Sequence, residues 1–223
     1  MLRLISSIIF RLLFYRFPQL AYSQEEIEEY EKMYSKALTS KSEIKYSSNF
    51  PKLHFIQYIA STKKVVLHGS NHKGINEFEP RRQTLFNGKY EEAVFATRDG
   101  IWPIFYAVFD RNKLVGNFRN ACISSDLKYN YYFFSLTRET ILSNPWTSGM
   151  LYFLPEETFE KVNHSLVPFD EWISKSPVAP LTKIEVEPED FYFINKVSYH
   201  NPKESVIVSW FLYKLRTKFF IKR

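Results

Sequence analysis

Chemistry has few places to reside in this chain, which carries 5 histidines and 1 cysteine in 223 residues. His68 holds the most telling position. It ends the apolar run Val65-Val66-Leu67 and is followed at once by Gly69 and Ser70. An imidazole at a strand end either satisfies itself in a core or faces a pocket, where it can donate, accept or move a proton. His68 and His72 would share a metal only on a helix, and Gly69 opposes helix there. His54, inside the apolar stretch 53–60, is expected to be packed or at the surface. Cys122 is expected to be a small buried thiol rather than a nucleophile. One cysteine excludes an internal disulfide and a cysteine-rich zinc site, and it fits a reducing, cytoplasmic compartment. The sequence has no Gly-x-x-x-x-Gly-Lys phosphate loop, no His-Glu-x-x-His and no Gly-x-Ser-x-Gly.

The elements that must position His68 follow from composition and pattern. With 45% hydrophobic residues, 18% aromatic residues and only 6 glycines, the chain can build a large core, which excludes disordered and low-complexity classes. The net charge of +6 is unevenly placed. Arg3, Arg11 and Arg16 precede residue 21, and Lys214, Arg216, Lys218, Lys222 and Arg223 close the chain, with no acid in either end. Removing those eight charges from the total leaves −2 over residues 21–213. The body therefore offers no general nucleic-acid-binding face. The two ends are candidates for contact with an acidic partner or a membrane surface.

Residues 1–22 read as a basic apolar helix, lying on a membrane or packed on protein. The seven residues between Arg3 and Arg11 include two serines, marginal for the ~7–15-residue centre of a secretory signal, although Ala21 and Ser23 suit a cleavage site. As a membrane span the segment would place Arg11 mid-bilayer at a cost of about 2.5–3.5 kcal/mol. Residues 23–62 form a helical lead-in. Ser23-Gln24-Glu25-Glu26 is a capping box, and Ile27, Tyr30, Tyr34 and Leu38 make one apolar stripe opposite a solvated acidic face.

A second strand is expected at Ala93–Thr97, after an exposed connection over 83–92 that turns at Asn87-Gly88. A buried helix follows over 101–109, with Asp99 near its start and Pro103 in its first turn. Strands are expected over 129–136 and 149–154, a short helix over 156–162, an extended segment over 169–174 and a half-buried strand over 182–187. Residues 201–223 read as a basic C-terminal helix capped by Asn201, with Pro202 at its first position.

A strand ending in His68-Gly69-Ser70, then a second strand reading Phe95-Ala96-Thr97 before a helix, resembles the ADP-ribosyltransferase-like fold. Poly-ADP-ribose polymerases and RNA 2′-phosphotransferases share that fold. With Glu77-Phe78-Glu79-Pro80-Arg81, Asp99 and Glu171-Trp172-Ile173 included, the pattern looks like small bacterial and phage proteins of the same appearance. The resemblance covers roughly residues 63–190. It implies an α+β domain over 63–200, built on a split antiparallel β-sheet of ADP-ribosyltransferase-like type with flanking helices.

The resemblance also implies chemistry. NAD is the substrate, held with its nicotinamide in a cleft of the split sheet, and ADP-ribose passes to an unknown acceptor. His68 would bond the nicotinamide ribose, Gly69 would let the backbone approach the amide, and Ser70 would add a hydroxyl. Phe95 would stack on the nicotinamide, or Val94 if the register shifts by one; Phe95 lacks the tyrosine hydroxyl usual in the family. Arg81 or Arg82 would meet the pyrophosphate. Glu171, with Glu156 and Glu157 as alternatives, would stabilise the positive charge that develops as nicotinamide departs. Transfer on RNA is a variant that the near-neutral body disfavours. A catalytically silent module of the same fold, membrane-associated through its ends, is the other reading.

Overall fold

Among the described residues, two of the three sheets are covered on both faces, which is why their strands read as near-continuous apolar runs. A computed structural model describes residues 2–84, 90–124, 129–162 and 169–219. Alternation along a central strand, β6 (Asn130–Thr137), sends Tyr131 and Phe133 to one side and Tyr132, Phe134 and Leu136 to the other. β5 (Phe118–Ser124) pairs antiparallel along one edge of β6. The other edge is shared by β1 (Tyr15–Arg16), antiparallel, and β11 (Ser198–His200), parallel. A short helix, α5 (Arg138–Leu142), ends β6 where Thr137 caps it through the Thr140 amide.

A second sheet has β7 (Gly149–Pro155) at its centre, flanked antiparallel by β2 (Val65–Ser70) and β10 (Thr182–Val186). A third runs β3 (Arg81–Thr84), β4 (Tyr90–Ala96), β9 (Trp172–Ser174), β8 (Glu160–Lys161), again antiparallel. The second and third sheets meet at a single bridge, where Leu67 and Thr97 exchange backbone hydrogen bonds of 2.7 and 3.1 Å. The architecture is α+β.

Helix α4 (Trp102–Val108) lies between the first two sheets. On one side Phe105 meets Phe134 at 5.0 Å between ring centroids. On the other, the helix backbone rests on two glycines. A Cβ on Gly69 would fall 1.8 Å from the Pro103 carbonyl oxygen, and one on Gly149 would fall 1.9 Å from that of Ala107. Only hydrogen fits at either position. The largest core cluster fills the space around α4 and is closed by α2 (Gln24–Ser40) and α3 (Lys52–Thr62).

The capping box at Ser23 is present, the Glu26 amide donating to Ser23 Oγ at 3.1 Å and the Ser23 amide to Glu26 Oε2 at 3.0 Å. Glu26 itself is buried, taking bonds from Tyr30 and His54. Ala37 rather than Leu38 completes the buried stripe. Cys122 is fully buried, as its type suggests.

Other boundaries differ for local reasons. Helix α1 (Leu2–Leu13) stops early because Tyr15 and Arg16 pair with Tyr132 and Tyr131 of β6. The stretch 83–92 contains the end of β3 and the start of β4, and its expected turn at Asn87-Gly88 lies outside the described residues. Residues 156–162 are not a helix: a 3₁₀ turn at Glu156–Thr158 gives way to β8, which pairs with β9. The last helix, α6 (Val206–Phe219), begins beyond Asn201 and Pro202. Asn201 Oδ1 accepts from Lys203 N at 3.0 Å in a preceding turn, and Ser205 takes the capping place. No helix among the described residues is long and apolar enough to cross a membrane.

Candidate active site

Past the Leu67–Thr97 bridge, β2 and β4 do not continue as a ladder, and the His68 side chain fills the interval. Its Nδ1 lies 2.6 Å from the Phe95 carbonyl oxygen. A carbonyl only accepts, so Nδ1 carries the proton and Nε2 keeps its lone pair. Burial pushes the imidazole pKa below its usual range, and the charges of Arg111 and Arg81 act in the same direction against the Phe95 bond. The ring packs on Phe78, 4.7 Å between centroids. His68 is thus a neutral imidazole of fixed tautomer, with an acceptor nitrogen facing away from its anchor.

A cavity of about 130 Å³ opens beside it, lined by His68, Gly69, Phe95, Trp102, Tyr106, Arg111 and Glu171 among others. Its walls are fixed by two buried aspartates. Asp99 Oδ1 accepts from the amides of Ile101 and Trp102 at 2.9 and 2.6 Å, capping α4, while Oδ2 takes Asn130 Nδ2 and the Tyr132 hydroxyl. Asp170 Oδ2 accepts from Thr97 Oγ1 at 2.7 Å and from the Arg98 amide at 2.8 Å. Thr97 Oγ1 in turn accepts from the Asp99 amide at 3.0 Å. One continuous network therefore ties the end of β4, the start of α4 and the residue next to Glu171. Such networks hold geometry because every member is satisfied.

Glu171 immediately precedes β9, and burial pushes its carboxyl pKa up to about 7. Near neutral pH it can serve as an acid, a base or an anionic stabiliser. Trp102 and Tyr106 share one acceptor, Asn120 Oδ1, at 2.5 and 2.9 Å. Burial pushes the Tyr106 hydroxyl up to about 12, so it stays protonated. The exposed Arg111 holds its guanidinium 5.4 Å from the Tyr106 ring centroid.

The structure brings His68, Gly69, Phe95 and Glu171 to this one cavity. It places Ser70 and Arg81 outside the lining. Ser70 Oγ accepts from the His72 amide at 3.1 Å in the turn after β2. Arg81 sits exposed at the start of β3, paired in register with Ala93, and Arg82 lies over the Tyr90 ring. Val94 points the other way from Phe95, into a separate core cluster. Glu156 pairs with Arg98 at 3.5 Å, and neither it nor Glu157 lines the cavity. Gly69 is required by the backbone of α4, whatever occupies the cavity.

Sequence reasoning missed Trp102, Tyr106 and Arg111. A signal existed: the helix is apolar except for two aromatic side chains with polar tips at one-turn spacing. A second, larger hollow of about 430 Å³ lies between α2 and residues 42–48. Its charged lining mixes Glu29 and Glu43 with Lys32, Lys36 and Lys45, the pattern of a solvated helix face. Among the described residues, no group of three or more His, Cys, Asp or Glu side chains is placed to hold a metal. No family model, curated protein or solved structure matches the chain.

Proposed function

We propose that the cavity receives the nicotinamide end of NAD and that the protein transfers ADP-ribose to an acceptor, on a split sheet of ADP-ribosyltransferase-like type. The observation that supports this most is the convergence of His68 from within β2, Phe95 from the end of β4 and Glu171 from just before β9 on one hollow. Size is consistent with it. A pocket that engulfs a drug-sized ligand measures ~300–1,000 Å³, whereas about 130 Å³ holds one ring-sized group. The rest of the dinucleotide would lie across the rim, where Arg111 stands in the place first expected of Arg81.

In this reading His68 Nε2 accepts a hydrogen bond from a ribose hydroxyl, and the Phe95 ring stacks on the departing nicotinamide. The bond from nicotinamide nitrogen to ribose C1′ breaks, and the ring leaves with the electron pair as neutral nicotinamide. Ionised Glu171 stabilises the positive charge that develops on the sugar. The acceptor then bonds to C1′ and releases its proton. Because Glu171 titrates at about 7, the rate rises with pH through that region.

Incubation of the purified chain with NAD, reading both nicotinamide release and thermal stabilisation, tests the proposal. Release and a raised Tm, both lost in His68→Ala, are expected. Absence of both would overturn it. The second reading, a silent module of the same fold, draws on Phe95 lacking a hydroxyl, and predicts neither release nor dependence on Glu171.

A further inference from the structure

Helix α6 is apolar outward as well as inward. A helix on a water-facing surface buries its apolar stripe and exposes its polar one. Here the stripe against the protein is Ser209, Tyr213 and Thr217, all buried. Two of its hydroxyls are engaged: Ser209 Oγ donates to Glu204 Oε1, and Thr217 Oγ1 pairs with the Tyr15 hydroxyl at 2.8 Å. The outward stripe at the same spacing is Ile207, Phe211 and Leu215, which are 63%, 65% and 52% exposed. Val208 and Phe219 flank it, also exposed. Helix α1 lies alongside, joined where Lys214 Nζ donates to the Arg11 carbonyl at 2.6 Å and where Phe14 meets Trp210 edge-on at 5.4 Å. It adds exposed Ile8, Ile9 and Leu12.

Charge indicates what covers this face. No aspartate or glutamate occurs in residues 1–20 or 205–223. Glu204, just before α6, is neutralised by a two-point contact with Arg216 at 2.7 and 2.9 Å. Arg11 and Lys218 remain at the surface beside the apolar side chains. Exposed aliphatic and aromatic groups, a basic border and no acid are the composition of a helix that lies in the plane of an anionic membrane. Length forbids crossing: 14 residues span about 21 Å, against a hydrocarbon core of about 30 Å. We propose that α6, with α1 beside it, seats the protein on the surface of an anionic lipid bilayer.

The cavity need not be disturbed by this contact. Odd positions of β5, Ala121 and Ile123, pack on the α1/α6 side with Phe14 and Tyr213. Even positions face α4, where Asn120 holds Trp102 and Tyr106. The proposal therefore does not depend on what the cavity binds.

Sedimentation of the full chain with vesicles of phosphatidylcholine containing 30% phosphatidylserine, and with phosphatidylcholine alone, provides the test. Pelleting with the anionic vesicles and weakening at high salt are expected. Phe211→Ser with Leu215→Ser should cut partition at least tenfold. A wild-type Tm confirms that the double variant is folded. Lys218→Ala, which keeps the apolar stripe, should weaken anionic binding about fivefold without altering the neutral control. The proposal is overturned if the wild-type chain stays in the supernatant with both vesicles, or if the folded double variant pellets as the wild type does. It is equally overturned if light scattering shows a dimer that the double variant abolishes while vesicle binding is absent, since a second copy then covers the face.

Discussion

His68 and His200 both lie on strands among aromatic residues, and burial pushes the pKa of both downward. They differ in how many ring nitrogens the protein uses. His200 on β11 has both occupied, Nδ1 by Ser135 Oγ at 2.8 Å and Nε2 by Asn117 Oδ1 at 2.6 Å. It joins β6, β11 and the loop before β5, with nothing left for a ligand. His68 has Nδ1 held by the Phe95 carbonyl and lines a cavity that also contains Glu171. Residue type and burial do not distinguish these two histidines; the account of their nitrogens does.

The largest expected effect separates the two histidines by activity. His68→Ala and Glu171→Gln should each reduce nicotinamide release about a hundredfold, the scale of losing one aligned stabilising group. His200→Ala should leave release per folded molecule within about twofold; a hundredfold loss there would erase the distinction. Stability should show the reverse order. His200→Ala leaves a hollow at a fully buried position and breaks the bond to buried Ser135, and should cost about 3 kcal/mol in urea unfolding. His68→Ala strands one carbonyl beside a hollow that water can enter, and should cost about 1 kcal/mol.

A third difference lies in pH. Glu171 is raised in the folded state from 4.5 to about 7, so its protonated form favours folding. That contribution is complete below pH 4.5 and is lost as pH rises through 7. Glu171→Gln should remove the loss, leaving the variant about 3 kcal/mol more stable than wild type at pH 8 and equal to it near pH 4. His200, lowered from 6.5 to about 4, acts oppositely: its contribution is complete above pH 6.5 and is lost as pH falls toward 4. Unfolding curves at pH 4, 6 and 8 read both signs, and a Glu171→Gln variant less stable than wild type at pH 8 would refute the burial of that carboxyl. The smallest effect is expected of Phe95→Tyr, where the added hydroxyl reaches the cavity: stability should change by less than about 1 kcal/mol, with a lowered KM for NAD.

Much of this arrangement is legible in the amino-acid sequence, for identifiable reasons. His68 and Phe95 sit on strands whose apolar runs and flanking turns mark their ends, and Glu171 belongs to a short motif beside a tryptophan. The helix at 102–108 is legible from Asp99 and Pro103, which serve its start. The place of Trp102 and Tyr106 on the cavity is marked in the sequence only by their polar tips one turn apart, because an apolar helix otherwise reads the same whichever face meets a cavity. Arg81 reads as the phosphate contact when only order along the chain is known. In space it is Arg111 rather than Arg81 that lines the cavity, brought round by the end of α4. The start of α6 is misplaced by its sequence signals because Asn201 and Pro202 suit a turn as well as a cap, and the turn wins when Glu204 is claimed by Arg216.

The anchor of His68 is a backbone carbonyl, and this makes position 95 two independent controls. Every amino acid supplies the same oxygen there, so the proton stays on Nδ1 whatever side chain is chosen. The side chain alone faces the cavity. Substitution at 95 is therefore a way to retune what the hollow accepts while the histidine's protonation pattern is inherited unchanged, a separation of selectivity from acid–base state that few side-chain-anchored histidines permit.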